Sequence, residues 1–178
     1  MLPPSVARTN SIVMLHAQLP LRASAISRLA GERSRAATAS ALNTLEKRGV
    51  VRRSRRVDHD VFEPNRESLY FPMAYETALV DLPIGPALKG DRAFAVYVYG
   101  SMAHAGTATP SSDLDLLVIG RIRDSKRTNA RLQELGERLG RSIDTWFLTP
   151  EEARAFAERD DPHLRRALDG VRIHGSWQ

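Results

Sequence analysis

Two aspartates separated by a single residue, Asp113 and Asp115, have the spacing that most directly suggests chemistry in this sequence. The run from Asp113 to Ile119 is predicted to be a strand, and alternate residues of a strand point to the same face. Repulsion between two carboxylates on one face is costly unless a cation lies between them. Mg²⁺ prefers such oxygen ligands and commonly binds substrate phosphates as well. The pair therefore predicts a divalent metal site.

Gly100 and Ser101 form a second candidate group, at the end of a predicted buried strand from Ala93 to Tyr99. A glycine lets the backbone approach a phosphate closely, and the serine adds a hydroxyl beside exposed backbone N–H groups. Combined with two carboxylates on the following strand, this turn predicts a nucleoside triphosphate site.

The glycine-serine turn, a short loop and the stretch SDLDLLV from Ser112 to Val118 resemble the signature of the polymerase β type nucleotidyltransferase superfamily, in particular its minimal bacterial members. The resemblance covers roughly residues 93–149. It implies a third carboxylate on a later strand, and Asp144 is the candidate. The implied catalytic and metal-binding residues are therefore Asp113, Asp115 and Asp144.

The loop after the first strand departs from the family pattern. Members of the family usually have GSxARG, whereas this sequence has His104 in the arginine position and one extra residue before Gly106. Such a loop is expected to hold phosphate less tightly, to accept a different donor, or to bind nucleotide without turnover. The candidate nucleotide-binding residues are Gly100, Ser101, His104 and Ser112.

The elements that must position these residues alternate between strand and helix. We predict a helix over 124–139, a strand over 142–149, a helix that begins at Pro150, a short helix over 161–168 and a tail after it. This order predicts an α/β domain, and the family resemblance implies that its sheet is mixed.

Composition limits the remaining possibilities. The chain has 178 residues, enough for one ordinary domain or two small ones, and 42% of them are hydrophobic. It contains no cysteine, which excludes disulfides and cysteine metal sites. No apolar run is long enough to cross a membrane. A cytoplasmic protein without a membrane partner is expected.

Positive charge is concentrated at the beginning of the chain. Up to Pro72 there are 12 Lys and Arg against 6 Asp and Glu, a net charge of +6, and the remainder has 14 against 15, a net charge of −1. Such asymmetry predicts a nucleic-acid-binding part joined to a nearly neutral part.

The basic part has a suggestive order of elements. Helices are predicted over 6–16, 23–30 and 34–48, with Ser34 as the N-cap of the third, and a hairpin with a basic tip over 50–63. The stretch LNTLEKRG from Leu42 to Gly49 resembles the LxxLExxG that precedes the wing in winged helix-turn-helix repressors. By that resemblance the third helix enters the DNA major groove and the wing contacts phosphates or the minor groove. The implied DNA-binding residues are Arg33, Arg35, Ser40, Asn43, Thr44, Lys47, Arg52, Arg53, Arg55 and Arg56.

The predicted protein is thus of the α+β class, with a winged helix-turn-helix domain over 1–66, a helical connector over 67–90 and a nucleotidyltransferase-like domain over 91–178. This layout resembles bacterial fusions of a winged helix with a minimal nucleotidyltransferase. The implied function is Mg²⁺-dependent transfer of a nucleoside monophosphate, with ATP the expected donor, to a protein or RNA acceptor. The expected partners are DNA, a nucleotide and that acceptor, and the resemblance leaves a homodimer open.

An alternative is a DNA-binding regulator whose second domain only binds nucleotide or mediates assembly. An antitoxin that nucleotidylates a partner toxin is compatible with both domains.

Overall fold

The computed structural model describes residues 2–177, and the contacts between residues divide the chain into two compact units. The first unit extends to Leu82 and includes Ala105–Ser111, where the side-chain amide of Gln18 donates a hydrogen bond to the carbonyl of Ala108. The second unit comprises Pro83–His104 and the chain from Ser112 onward. None of the helices between residues 2 and 177 is long and apolar enough to cross a membrane.

The first unit contains four helices and a small antiparallel sheet. The helices are α1 (Pro4–Leu15), α2 (Ala23–Leu29), α3 (Arg35–Lys47) and α4 (Phe71–Val80). The strands are β1 (Leu21–Arg22), β2 (Val51–Arg56) and β3 (His59–Pro64), in the order β1-β3-β2. The two-residue strand β1, which our sequence analysis missed, pairs with β3 at the outer edge of the predicted hairpin.

Local signals explain where α3 begins and ends. The Ser34 hydroxyl accepts a hydrogen bond from the backbone N–H of Ala37, which confirms the predicted N-cap. Gly49 follows the helix with a φ of 68°, a left-handed conformation that glycine adopts without strain. One face of α3 is buried and consists of Thr38, Ala41, Leu42 and Leu45.

Helix α4, predicted as part of a connector, packs on α1 within the first unit. Asn10 donates its side-chain amide to the carbonyl of Ala74 at 3.0 Å, and Ser11 donates its hydroxyl to the carbonyl of Ala78 at 3.0 Å. These buried hydrogen bonds fix how α4 sits on α1, because losing either partner would leave a polar group unsatisfied.

The second unit contains a four-stranded sheet with helices around it. The strands are β4 (Arg92–Tyr99), β5 (Leu114–Arg121), β6 (Ile143–Leu148) and β7 (Val171–Gly175), and the helices are α5 (Ser125–Leu139), α6 (Pro150–Glu158) and α7 (Pro162–Leu168). The order is β6-β5-β4-β7, with β5 and β6 parallel and the other pairs antiparallel. The predicted mixed sheet is confirmed.

Two details of the prediction for this unit are wrong. The residues after 168 do not form a tail, because Val171–Gly175 pairs with β4 as an edge strand. Strand β5 begins at Leu114 rather than at Asp113, so Asp113 lies just before the strand. Strand alternation therefore does not by itself direct Asp113 to the face that Asp115 occupies.

Candidate functional site

Asp115 and Asp144, called here the acidic pair, are neighbours in the central parallel strands of the second unit. Asp115 is in register with Asp144 on one side and with Tyr99 of β4 on the other. Residues in register on adjacent strands point to the same face of a sheet. Tyr99, Asp115 and Asp144 thus form a row across the sheet. Tyr99 is buried, Asp115 is half-buried and Asp144 is exposed, so this row runs from the core to solvent. The fold thus places two carboxylates side by side at one end of the sheet.

The electrostatics of this row favour a cation. Burial raises the pKa of Asp115, and the carboxylates of Asp144 and Asp113 raise it further, whereas His163 opposes the shift. Burial together with Asp115 and Asp144 also raises the pKa of Tyr99. Each group is harder to ionise because it is removed from solvent and because negative charge is already concentrated there. A positive ligand would relieve that repulsion.

The Gly100 turn lies directly against Asp115. Gly100 has a φ of 68°, and a Cβ built on it would overlap the Asp115 Oδ2 atom. A short 3-10 helical turn, Gly100–Ala103, follows, and its Met102 is fully buried. Any larger residue at position 100 would therefore displace the carboxylate, so the predicted phosphate turn and the acidic pair form one site.

The two ends of the loop between β4 and β5 are joined at this site. The Ser101 hydroxyl donates a hydrogen bond to the Ser112 hydroxyl at 3.0 Å. Arg141 donates from Nη1 to the Ser112 carbonyl at 3.2 Å and is only 6% exposed. Of the predicted nucleotide-binding residues, Gly100, Ser101 and Ser112 thus lie together. The structure places His104 at the exposed end of the 3-10 turn.

Arg141 and His163 were missed by sequence reasoning. The ring of His163, in the first turn of α7, lies 4.6 Å from the Trp146 ring and 5.7 Å from the Tyr99 ring, between centroids. It thereby borders the acidic pair. No local motif marks either residue, because each reaches the site through the packing of a helix end against the sheet.

The acidic pair fits a hard divalent cation in the chemistry of its donors. Two carboxylates on adjacent strands are the ligand type that Mg²⁺ takes. Within residues 2–177, however, no group of three or more His, Asp or Glu side chains is arranged to hold a metal ion. Asp113 is exposed and precedes β5. The three-carboxylate metal site stays a prediction.

The predicted DNA-binding residues of α3 lie at its solvent side. Arg33 and Arg35 flank the exposed N-terminal end, and Ser40, Asn43 and Lys47 are exposed along the helix. Thr44 is half-buried, and its hydroxyl donates to the Ser40 carbonyl at 2.9 Å. Its hydroxyl proton is therefore already in use within the helix.

The arginines of β2 are engaged with acidic side chains to different degrees. Arg53 pairs with Glu46 at 2.8 Å, donates to Asn43 Oδ1 at 2.5 Å and lies over the Phe62 ring. The neighbouring pairs are Arg52–Glu67 at 3.3 Å and Arg55–Asp60 at 3.1 Å. Within the part of the chain that the structure describes, the Arg56 side chain makes no hydrogen bond or ion pair, although its backbone is paired with His59 in the hairpin. The four arginines are thus not equivalent, which their clustering in sequence did not predict.

Comparison with known protein families finds a similarity over part of the chain. Residues 89–174 match the family model described as nucleotidyltransferase domain. No curated protein and no solved structure matches the sequence. The matched segment includes β4, β5 and β6, and with them the Gly100 turn and the acidic pair. Residues 89–174, a little under half of the chain, are therefore similar to a nucleotidyltransferase domain.

Proposed function

We propose that the protein is a Mg²⁺-dependent nucleotidyltransferase that moves a nucleoside monophosphate from a nucleoside triphosphate, with ATP the expected donor, to a hydroxyl of a protein or RNA acceptor. One observation carries the proposal. The Gly100 turn lies against Asp115, and Asp144 lies beside Asp115 in register, within a segment that matches the nucleotidyltransferase domain.

The chemistry assigns a role to each group. The acceptor oxygen attacks the α-phosphorus, a new P–O bond forms, and the bond to the pyrophosphate leaving group breaks. Gly100 and Ser101 orient the phosphates through backbone N–H groups and a hydroxyl, and Ser112 holds Ser101 in place. Asp144, at the exposed end of the row, accepts the proton of the acceptor hydroxyl.

The metal would be held by Asp115 and Asp144, with Asp113 as a third ligand. When bound, Mg²⁺ supplies charge neutralisation at the triphosphate and at the attacking oxygen. The raised pKa of Asp115 supports this assignment, because a cation at the pair removes the repulsion between the carboxylates.

The proposal extends to a DNA-binding first unit. Three helices, a two-residue strand and a β-hairpin, in the sheet order β1-β3-β2, are the elements of a winged helix-turn-helix. The exposed side of α3 and the basic strand β2 form the surface that would face DNA. The net charge of +6 up to Pro72 supports a nucleic-acid partner.

A second candidate function is a DNA-binding regulator whose nucleotidyltransferase domain binds nucleotide or mediates assembly without transfer. His104 in the usual arginine position supports it, as does the lack of a three-ligand metal group within residues 2–177. An antitoxin acting on a partner toxin would be one form of either function.

The deciding experiment is incubation of the purified protein with Mg²⁺ and α-labelled ATP, GTP, CTP or UTP, with and without cell lysate. Label is expected in a protein or RNA band, and its loss in both Asp115→Asn and Asp144→Asn would support transfer. Asp169→Asn is the matched control, because Asp169 is an exposed residue at the end of α7. No labelled band, with nucleotide binding detected by calorimetry, would refute transfer and favour the regulator.

A further inference from the structure

The first unit contains a cleft of about 430 Å³ that the proposed functions do not use. Its inner wall includes Leu45 of α3 and Val50, both buried, and its rim includes Tyr70 and Met73, which are 58% and 61% exposed. An apolar concavity of this volume is in the range of small-molecule sites, about 300–1,000 Å³. Large apolar side chains that remain exposed at a concave rim indicate a binding surface.

Arg48 is the charged side chain among the described residues that line the cleft, which also include the polar side chains of Asn10, Tyr70 and Thr77. Arg48, the C-cap residue of α3, is exposed and makes no ion pair or hydrogen bond through its side chain in the described part of the chain. The cleft thus combines apolar walls with one guanidinium at its edge.

We propose that this cleft binds a small apolar monoanion of the medium-chain carboxylate class, with the hydrocarbon against Leu45, Val50 and Met73 and the carboxylate at Arg48. A guanidinium matches a carboxylate in both charge and geometry. None of the described residues that line the cleft is acidic. A second copy seated on the same face would therefore bring one Arg48 toward another without a compensating acid, which disfavours self-association here.

Ligand binding at this position would act on the DNA-facing elements. Leu45 and Arg48 belong to the end of α3, and Val50 leads directly into β2. An occupant of the cleft would therefore contact both the end of α3 and the residue that precedes β2. This consequence rests on the proposed DNA-binding role, whereas the binding itself does not.

The test is calorimetric titration of the full chain with decanoate below its micelle concentration, compared with decyltrimethylammonium. Decanoate is expected to bind one per chain, and the ammonium compound, with the same hydrocarbon and opposite charge, is expected to bind about 5- to 25-fold more weakly, because it loses the attraction to Arg48 and adds a repulsion of similar size. Arg48→Gln should weaken decanoate binding by about two- to fivefold, the range for a partly exposed charge pair. Arg28→Gln, an exposed arginine of α2 outside the cleft, should leave the affinity unchanged.

Met73→Glu is the second variant, and it should abolish decanoate binding by placing a carboxylate at the rim. Because Met73 is largely exposed, this variant should retain the circular dichroism spectrum of the parent. Equal affinity for both amphiphiles, or unchanged affinity in Arg48→Gln, would overturn the proposal. A concentration-dependent dimer that Met73→Glu dissociates, with no decanoate binding, would also overturn it and assign the cleft to a second copy.

Discussion

The Asp115 carboxylate lies so close to Gly100 that no residue larger than glycine fits at position 100 without moving it. A Cβ at Gly100 would overlap Asp115 Oδ2 and lie 3.2 Å from Cγ. The φ of 68° at Gly100 independently favours glycine. The residue is thus needed for its backbone conformation and for the position of a neighbouring carboxylate. These two requirements can be separated experimentally.

Gly100→Ala is predicted to lose far more activity than stability. The atom that a Cβ meets is the end of a side chain, which can rotate away, so the fold should survive with a conformational cost of about 1–2 kcal/mol. The displaced carboxylate should lower nucleotidyl transfer by roughly a hundredfold, the effect of a misplacement of about 1 Å in a reacting group. Thermal unfolding and label transfer measure the two effects.

Gly90→Ala is the control for conformation alone. Gly90 has a φ of 92°, and a Cβ there would meet no atom within 4 Å. This variant should show a similar loss of stability with normal transfer. If it loses as much transfer as Gly100→Ala, the contact with Asp115 is not the cause.

Asp115→Asn is predicted to stabilise the protein at neutral pH. Because burial and the nearby carboxylates raise the pKa of Asp115, its ionised form is less favourable in the folded protein than in the unfolded chain. Stability linked to this group is complete below the unfolded value of 3.8 and is lost as the pH rises through the raised folded-state pKa. The variant should therefore exceed the parent in free energy of unfolding at pH 7, and the difference should vanish toward pH 3.8.

Urea unfolding between pH 4 and pH 8 measures this difference, with Asp169→Asn as the control that should follow the parent throughout. A constant difference at all pH values would show that a change in packing, rather than the ionisation of Asp115, is responsible.

Much of the second unit was predictable because β4 and β5 are largely apolar runs bounded by glycine residues and turns. The edge strand Val171–Gly175 was not, since it contains only two large apolar residues, Val171 and Ile173. Its pairing depends on a close backbone approach at Gly175, where a Cβ would overlap the Phe94 carbonyl. Such an approach is a tertiary property that five residues of sequence do not encode visibly.

Some residues of the candidate site were likewise predictable from the sequence, and others were not. Gly100, Ser101 and Asp115 lie on or beside strands, where local spacing determines which residues meet. Arg141 follows the end of α5 and His163 begins α7, so their positions depend on how those helices pack. Asp113 lies between these cases, one residue before the strand whose alternation was expected to orient it.

Mg²⁺ is predicted to stabilise the parent protein more than either acidic-pair variant. A ligand that binds only the folded state raises the unfolding free energy in proportion to ln(1 + [L]/Kd). The melting temperature of the parent should therefore rise with MgCl₂, and that of Asp115→Asn or Asp144→Asn should rise less. A matched series in NaCl removes general ionic-strength effects. An identical rise in all three proteins would place the metal elsewhere.

Arg53 and Arg56 are predicted to differ although both lie on β2. Arg53 connects α3 to the hairpin through Glu46, Asn43 and the Phe62 ring, so Arg53→Gln should lower the unfolding free energy by about 1 kcal/mol, a value limited by partial exposure. Arg56 has no such partner within residues 2–177, so Arg56→Gln should leave stability unchanged. Urea unfolding of the two variants tests this contrast.

Arg56→Gln is also predicted to change the salt dependence of DNA binding. An arginine that contacts a phosphate contributes about one unit to the slope of log affinity against log salt concentration. Arg56→Gln should reduce that slope by about one on any duplex sequence. Arg138→Gln, an exposed arginine of α5, should leave it unchanged. An unaltered slope in Arg56→Gln, and in the variant with Ala at Arg52, Arg53, Arg55 and Arg56, would mean that strand β2 is a solvated surface and that DNA, if bound, contacts the chain elsewhere.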